Sequence, residues 1–338
     1  MTKALVTGAT GFLGRHVCVR LQAMGWEVAG MGRSRSAGAE LEALGIRFIQ
    51  ADLRNREQVE LACWGQDAVF HCGALSSPWG PYRDFHAVNV EGTAHVTAGC
   101  LKHGVGRLVH ISTPSIYFDG HEDRLGVRED AALPTRPVNA YAATKLQAEQ
   151  VVRQAFREGL AVLILRPRAI FGPGDTALLP RLMRANDTSG IPLFREGQVL
   201  LDLTYVDNVV DAMLMGWQAP EAALGQAYNI TNGEPALLKE VLAELFALLD
   251  TPLRTKKLPY PVAYGAASLL EWSHKLLPML GEPTFTRYSV SVLARSQTLD
   301  INKAHELLGY TPQVSLHEGL RRFAEWWKET EGSRNEDR

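Results

Sequence analysis

The sequence predicts a doubly wound α/β fold, a parallel sheet with helices on both faces, joined to a smaller and mostly helical C-terminal cap. Three observations carry this. Short apolar, β-branched runs alternate with longer helical ones through the first half, as strands covered on both faces require. A glycine-rich turn separates the first strand from the first helix. After Pro167 the rhythm breaks into irregular segments, with proline and glycine clustered at Gly172-Pro173-Gly174.

Ala4-Leu5-Val6-Thr7 reads as the first strand and residues 12–24 as the first helix. Strands follow at 27–31, 47–50 and 67–71, then a long helix over 83–102 and strands at 107–112 and 161–166. Right-handed crossovers place the intervening helices on both faces. Further helices are expected at 178–185 and 205–217, with Asp207 in the first turn of the latter as a structural acid. The apolar stretch 261–280 is broken by Glu271, His274 and Lys275, whereas a membrane span needs about 20 apolar residues. It reads as one or two amphipathic helices forming the cap wall, a dimer contact or a membrane-surface contact. The dinucleotide-binding domain is expected over residues 1–172, with a returning segment at 200–232. The cap is expected over 173–199 and 233–330, and the polar tail 331–338 is expected to fray.

Composition is that of an ordinary globular protein: 338 residues, 46% hydrophobic, 21% charged. A net charge of −2 gives no field for capturing nucleic acid. Cys18, Cys63, Cys72 and Cys100 form no CxxC pair and have no histidine at zinc spacing, so they read as reduced thiols and no metal is expected. Met1-Thr2-Lys3 runs directly into the first strand without an apolar leader. The expectation is a cytoplasmic protein without a transmembrane span, with a homodimer as the base-rate oligomer.

Gly8-Ala9-Thr10-Gly11-Phe12-Leu13-Gly14 lies at the strand-to-helix turn where a dinucleotide pyrophosphate binds. Glycines there permit the tight turn and close backbone approach, and the helix N-terminus offers N–H groups to the anion. Dinucleotide choice is read at the end of the second strand, where a carboxylate would bind an unphosphorylated ribose. Met31-Gly32-Arg33-Ser34-Arg35-Ser36 holds no acid there, and its arginines and serines suit a 2′-phosphate. NADP(H) is therefore favoured, with NAD(H) possible. Asp52, with Leu53 beside it, lies after the third strand, where it could orient adenine.

Tyr141 and Lys145 stand one helical turn apart, the only YxxxK among the nine tyrosines. A free phenol has a pKa near 10, and a nearby ammonium is expected to lower it into a useful range for proton transfer. The same lysine could hold the nicotinamide ribose. A hydroxyl from Ser112-Thr113-Pro114-Ser115, at the end of the fifth strand, could polarise the substrate oxygen.

These motifs resemble the extended short-chain dehydrogenase/reductase superfamily, whose signature joins a TGxxGxxG loop on a Rossmann sheet to YxxxK. The resemblance runs through Asn89-Val90-Glu91-Gly92-Thr93 to Asp300-Ile301-Asn302-Lys303-Ala304 and Leu308-Gly309-Tyr310-Thr311-Pro312. It implies that Thr113 is the catalytic hydroxyl beside Tyr141 and Lys145. It also places His71, Gly73 and Ala74 on the cofactor loop, and it implies cofactor contacts at Ser112, Pro167 and Ile170. The dehydratase branch carries an acidic pair where this chain has Pro114 and Ser115, so water elimination is not expected. Sugar-nucleotide epimerases usually place an asparagine in the segment after the sixth strand. Here that segment reads Leu165-Arg166-Pro167-Arg168-Ala169-Ile170-Phe171-Gly172-Pro173-Gly174-Asp175, similar to the 3β-hydroxysteroid dehydrogenase and dihydroflavonol reductase branch. The run Ser112 to Ser115, together with Leu178-Leu179-Pro180-Arg181-Leu182 and Asn232-Gly233-Glu234-Pro235, looks closer still to bacterial 2-alkyl-3-oxoalkanoate reductases. Those reduce a long-chain β-keto acid with NADPH, which implies a hydrophobic substrate here.

Ser76, Trp79 and Tyr82 after the fourth strand, and the long segment 118–138, are expected near the catalytic edge as binding loops. Trp79, Tyr117, Phe171 and Leu178 could line an apolar pocket or pack in the core. Arg168 could grip a substrate carboxylate or serve as an ion-pair partner. The expected reaction is NADP-dependent reduction of a ketone, or oxidation of the matching secondary alcohol, with Tyr141, Lys145 and Thr113 as the acid–base group. The alternatives are an epimerase that retains NAD and a binding protein without chemistry.

Overall fold

The computed structural model describes residues 1–277 and 281–336. Seven strands form one parallel sheet: β1 (Lys3–Thr7), β2 (Glu27–Gly32), β3 (Arg47–Gln50), β4 (Ala68–His71), β5 (Arg107–Ile111), β6 (Val162–Pro167) and β7 (Ala227–Ile230). Their order is β7-β6-β5-β4-β1-β2-β3, so the winding reverses between β1 and β4. That reversal opens a crevice at the carboxyl ends of the strands, where open α/β sheets bind ligands.

Side-chain alternation separates two cores. Val6, Phe70, Val109, Leu163 and Leu165 face one side, where α1 (Phe12–Ala23) packs. Leu5, Val69, Leu108, Val162 and Ile164 face the other, packed by α3 (Arg56–Cys63), which follows α2 (Arg35–Ala43). The same face carries α4 (Gly92–His103) and α5 (Ala140–Arg157). With a period of two, adjacent residues must serve opposite layers, so both must be apolar.

The long helix expected over 83–102 is interrupted. A short helical turn at Tyr82–Phe85 leads into a wide turn at His86–Glu91 before α4 begins. Asn89 causes the departure: its side chain accepts from the Leu75 N–H at 2.7 Å and donates to the Leu75 carbonyl at 3.1 Å. It also donates to the Thr144 hydroxyl at 3.1 Å, clamping the loop after β4 onto α5. The basic segment after β2 also differs from expectation, because Ser34 caps the unforeseen α2 by accepting from the Ala37 N–H at 3.2 Å.

Beyond β6, α6 (Leu179–Thr188) and α7 (Val206–Gln218) precede β7. The chain then forms α8 (Leu238–Leu248), α9 (Tyr260–Leu276), α10 (Arg287–Ala294), α11 (Asn302–Leu308) and α12 (Leu316–Glu336). Within segment 118–138 an Arg124–Val127 strand pairs in parallel with Gln297–Leu299. α9 buries Ala263, Ala267 and Glu271, and leaves Val262, Leu269, Trp272 and Leu276 exposed. Residues 278–280 of the expected amphipathic stretch lie outside the described residues. α12 extends to Glu336. No helix among the described residues is long and apolar enough to cross a membrane.

Candidate active site

The glycine loop closes over the reversal point. Gly8 has φ +68°, and a Cβ on it would lie 2.7 Å from the Gly73 backbone, so the turns after β1 and β4 touch through bare main chain. A Cβ on Gly14 would meet the Gly8 carbonyl oxygen at 2.3 Å, so α1 can pack this close to the turn only through glycine. α1 starts at Gly11 without a side-chain cap and without an acid in its first turn. Its N–H groups and dipole are thus left for an anion, and these residues fit a dinucleotide pyrophosphate. Thr10 leans on Gly32, while Leu13 packs into the core and can offer the loop its backbone.

At the end of β2 the two arginines separate. Arg35 enters α2, pairs with Glu42 at 2.9 Å and stacks over Phe48. Arg33 stays exposed, and its side chain makes no ion pair with the described residues. Glu27 lies at the opposite end of the strand, against Lys3 at 3.6 Å. Asp52 is bound by Arg54, with the closest contact at 2.6 Å, and that hydrogen bond holds its carboxyl below the usual range. Leu53 is buried against Gly73, and Ala74 is exposed at the mouth.

Asn139 begins the helix that carries the acid–base pair, accepting from the Ala142 N–H at 2.8 Å. Tyr141 is hydrogen-bonded to Ser76 and Thr113, so the loops after β4 and β5 converge on one phenol. Burial raises the Tyr141 pKa, and those two hydroxyls only partly offset it. This differs from the lowering expected from Lys145. The reason is geometric: the Lys145 ammonium turns away, donating to the Ile111 carbonyl at 2.6 Å and lying 3.3 Å from His110 Nε2. Burial brings Lys145 down to about 8, with the Glu149 charge opposing the fall. If the charged form of Lys145 supports proton transfer, kcat/KM for reduction is expected to decline as pH rises through about 8. A pH–rate profile checks this, and in Glu149→Gln the decline should begin at lower pH.

Thr113 caps the short helical turn Pro114–Tyr117 and donates to Ser115 Oγ at 3.1 Å. Ser115 Oγ in turn lies 3.0 Å from the Tyr288 hydroxyl, at the start of α10. Ser112 is committed elsewhere, donating to Glu149 Oε1 at 2.6 Å. Pro167 ends β6, and Ile170 pairs with Thr204 in a two-residue strand.

Two of the pocket candidates prove to be core. Tyr117 is 0% exposed, donates to Asn229 Oδ1 at 3.0 Å and receives a hydrogen bond from Arg166. Phe171 is also 0% exposed, edge-on to Tyr205 and beneath Gly319. Aromatic character alone does not separate a pocket wall from a sheet filler. Trp79 is partly buried, with the Lys275 ammonium 5.9 Å from its ring, and Ser76 is exposed on the same loop. His71 is buried between Thr7 at 2.6 Å and Thr93 at 3.0 Å.

Sequence reading missed Tyr288 and the buried pair Glu149–Arg166, whose closest contact is 2.6 Å. A signal existed for one of them: Glu149 stands four residues after Lys145 and eight after Tyr141, on the same helical face. Nothing local marked Tyr288. Among the described residues no group of three or more His, Cys, Asp or Glu could hold a metal.

A glycine loop at the reversal point of the sheet, with a tyrosine and a lysine one helical turn apart across the crevice, defines an NAD(P)-dependent dehydrogenase/reductase. The chain belongs to the NAD dependent epimerase/dehydratase family, whose model matches residues 4–231. It is 40% identical over 325 residues to a 2-alkyl-3-oxoalkanoate reductase of Stenotrophomonas maltophilia, covering 95% of this chain and 98% of that one. A 3beta-hydroxysteroid-dehydrogenase/decarboxylase of Arabidopsis thaliana is 33% identical over 341 residues, covering 94% of this chain and 78% of that one. Among solved structures, a UDP-glucuronic acid 4-epimerase from Bacillus cereus in complex with NAD superposes with TM-score 0.76 at 23% identity, over 97% of each chain. At that identity the likeness is one of fold.

Proposed function

We propose that this enzyme is an NADP-dependent reductase of a hydrophobic ketone, such as a 3-oxo acid or a 3-oxosteroid, working in reverse on the matching alcohol. The observation that carries the reading is the convergence of Ser76 and Thr113 on a Tyr141 phenol whose pKa is raised. A protonated phenol between two hydroxyls is suited to donating to a carbonyl oxygen. When bound, the nicotinamide supplies the hydride. Tyr141 donates its O–H proton to the substrate oxygen, Thr113 orients that oxygen, and Lys145, whose ammonium turns away from the phenol, is left to hold the nicotinamide ribose. The relatives named for reduction of oxo acids and for steroid dehydrogenation support a greasy substrate. In the same reading, residues 1–172 and 200–232 hold the nucleotide and the cap holds the substrate. A cytoplasmic homodimer is part of it.

Preference for NADP rests on Arg33, the uncommitted cation at the end of a β2 that lacks a terminal acid. NADPH is expected to bind more tightly than NADH, and Arg33→Ala should weaken NADPH about 10- to 100-fold while hardly changing NADH, by loss of charge-assisted hydrogen bonds. Fluorescence titration of both nucleotides checks this. Equal binding of the two, unchanged in the variant, would remove the NADP assignment. Tightly retained NAD without net turnover of added cofactor would favour an epimerase.

A further inference from the structure

We infer that Arg168 is the receptor for a carboxylate on the substrate, so that the site takes an oxo acid in preference to a neutral ketone. This rests on the reductase reading above. Arg168 follows β6 directly, at the carboxyl edge where Thr113 lies two residues beyond β5. It is only 8% exposed, yet it forms no ion pair with any described residue, and its Nε has no hydrogen-bond partner there. Arg166, two residues earlier and 3% exposed, shows the ordinary solution to burying a guanidinium. It donates from Nε to Glu149 Oε1 at 2.8 Å and from Nη2 to Glu149 Oε2 at 2.6 Å. A buried cation without such a partner is costly, and an anionic ligand with two oxygens would satisfy the planar fork.

The charged and titratable groups within reach are Tyr288 and Asp202. Neither provides the fork: the Tyr288 hydroxyl lies on Ser115, and Asp202 Oδ2 accepts the Leu299 N–H at 2.7 Å. Burial lifts the Asp202 carboxyl to about 6, so it stays largely ionised at neutral pH, but it acts on Arg168 only through space, with no ion pair between them and its Oδ1 left without a hydrogen-bond partner among the described residues. Tyr288 lies within electrostatic reach of Arg168, and it is linked hydroxyl to hydroxyl through Ser115 and Thr113 to Tyr141. A substrate whose reacting oxygen lies on Tyr141 and Thr113 would thus have its nearby carboxylate facing Arg168. The next residue, Ala169, sits at φ +45°, so the backbone holds this turn in a conformation that alanine rarely adopts.

The test compares a long-chain 3-hydroxy acid, stable in solution, with its methyl ester, both oxidised with NADP by the wild-type enzyme, Arg168→Met and Arg168→Lys. The wild type is expected to prefer the acid. Arg168→Met should lower kcat/KM for the acid about 100-fold or more, mainly through KM, and leave the ester almost unchanged. Arg168→Lys, which keeps charge without the fork, should fall between. Ester turnover also reports that the variants fold. Equal use of acid and ester by the wild type, or parallel losses on both in Arg168→Met and Arg168→Lys, would overturn the assignment and leave Arg168 as a partner of Asp202. If the wild type oxidises neither compound, and reduces no hydrophobic ketone, the reductase reading fails and this assignment goes with it.

Discussion

Tyr141→Phe is expected to lower kcat about 100- to 10,000-fold while nucleotide affinity changes little, because the variant removes the proton-donating hydroxyl and leaves the ring. Among the described residues the phenol is the one group bonded to both Ser76 and Thr113, so no described neighbour can take over its donation without moving a loop. Lys145 cannot substitute, since its ammonium is engaged by the Ile111 carbonyl. Stopped-flow measurement of hydride transfer, with NADPH titration of the same sample, separates lost chemistry from lost binding. A variant that retains full activity would show that the proton comes from elsewhere.

Glu149→Ala should destabilise the fold by about 3–5 kcal/mol, the usual result of stranding a buried charge. Glu149 is 0% exposed and accepts from Arg166, from Arg153 at 2.9 Å and from Ser112. Burial pushes its carboxyl upward, but the hydrogen bonds and charges of the arginines prevail and hold the pKa below the usual value. Removing the carboxylate leaves Arg166, among the described residues, with the Tyr117 hydroxyl and the Glu129 carbonyl. Urea denaturation measures the loss. The double variant Glu149→Met with Arg166→Met should lose less than Glu149→Ala, since no charge is then stranded. If the single change shifts the midpoint by less than the double, the pair does not have this role.

The parts of this molecule that depend on local rules could be read from residues in a row. Alternation of Leu5 with Val6, Val69 with Phe70 and Leu108 with Val109 marks strands that feed two cores, and so the parallel sheet. Gly8, Gly11 and Gly14 announce the phosphate turn because no Cβ fits there. The spacing of Tyr141 and Lys145 follows from the pitch of a helix. All of these act over a few residues, where backbone sterics and periodicity dominate.

What distance along the chain conceals was settled by packing. Arg33 and Arg35 look alike in sequence, and separate only because α2 carries Arg35 to Glu42. Tyr117 and Phe171 are as aromatic as any pocket residue, but the network around Asn229 and the approach of α12 seal them in. Tyr288 reaches Ser115 across 173 residues. The direction of the Tyr141 pKa turned on where the Lys145 ammonium points and on how deeply the phenol is buried. Arg166 and Arg168 are two residues apart, one saturated by Glu149 and the other without an ion pair among the described residues. Electrostatic energy depends on separation and burial in space, and a sequence orders residues along only one dimension.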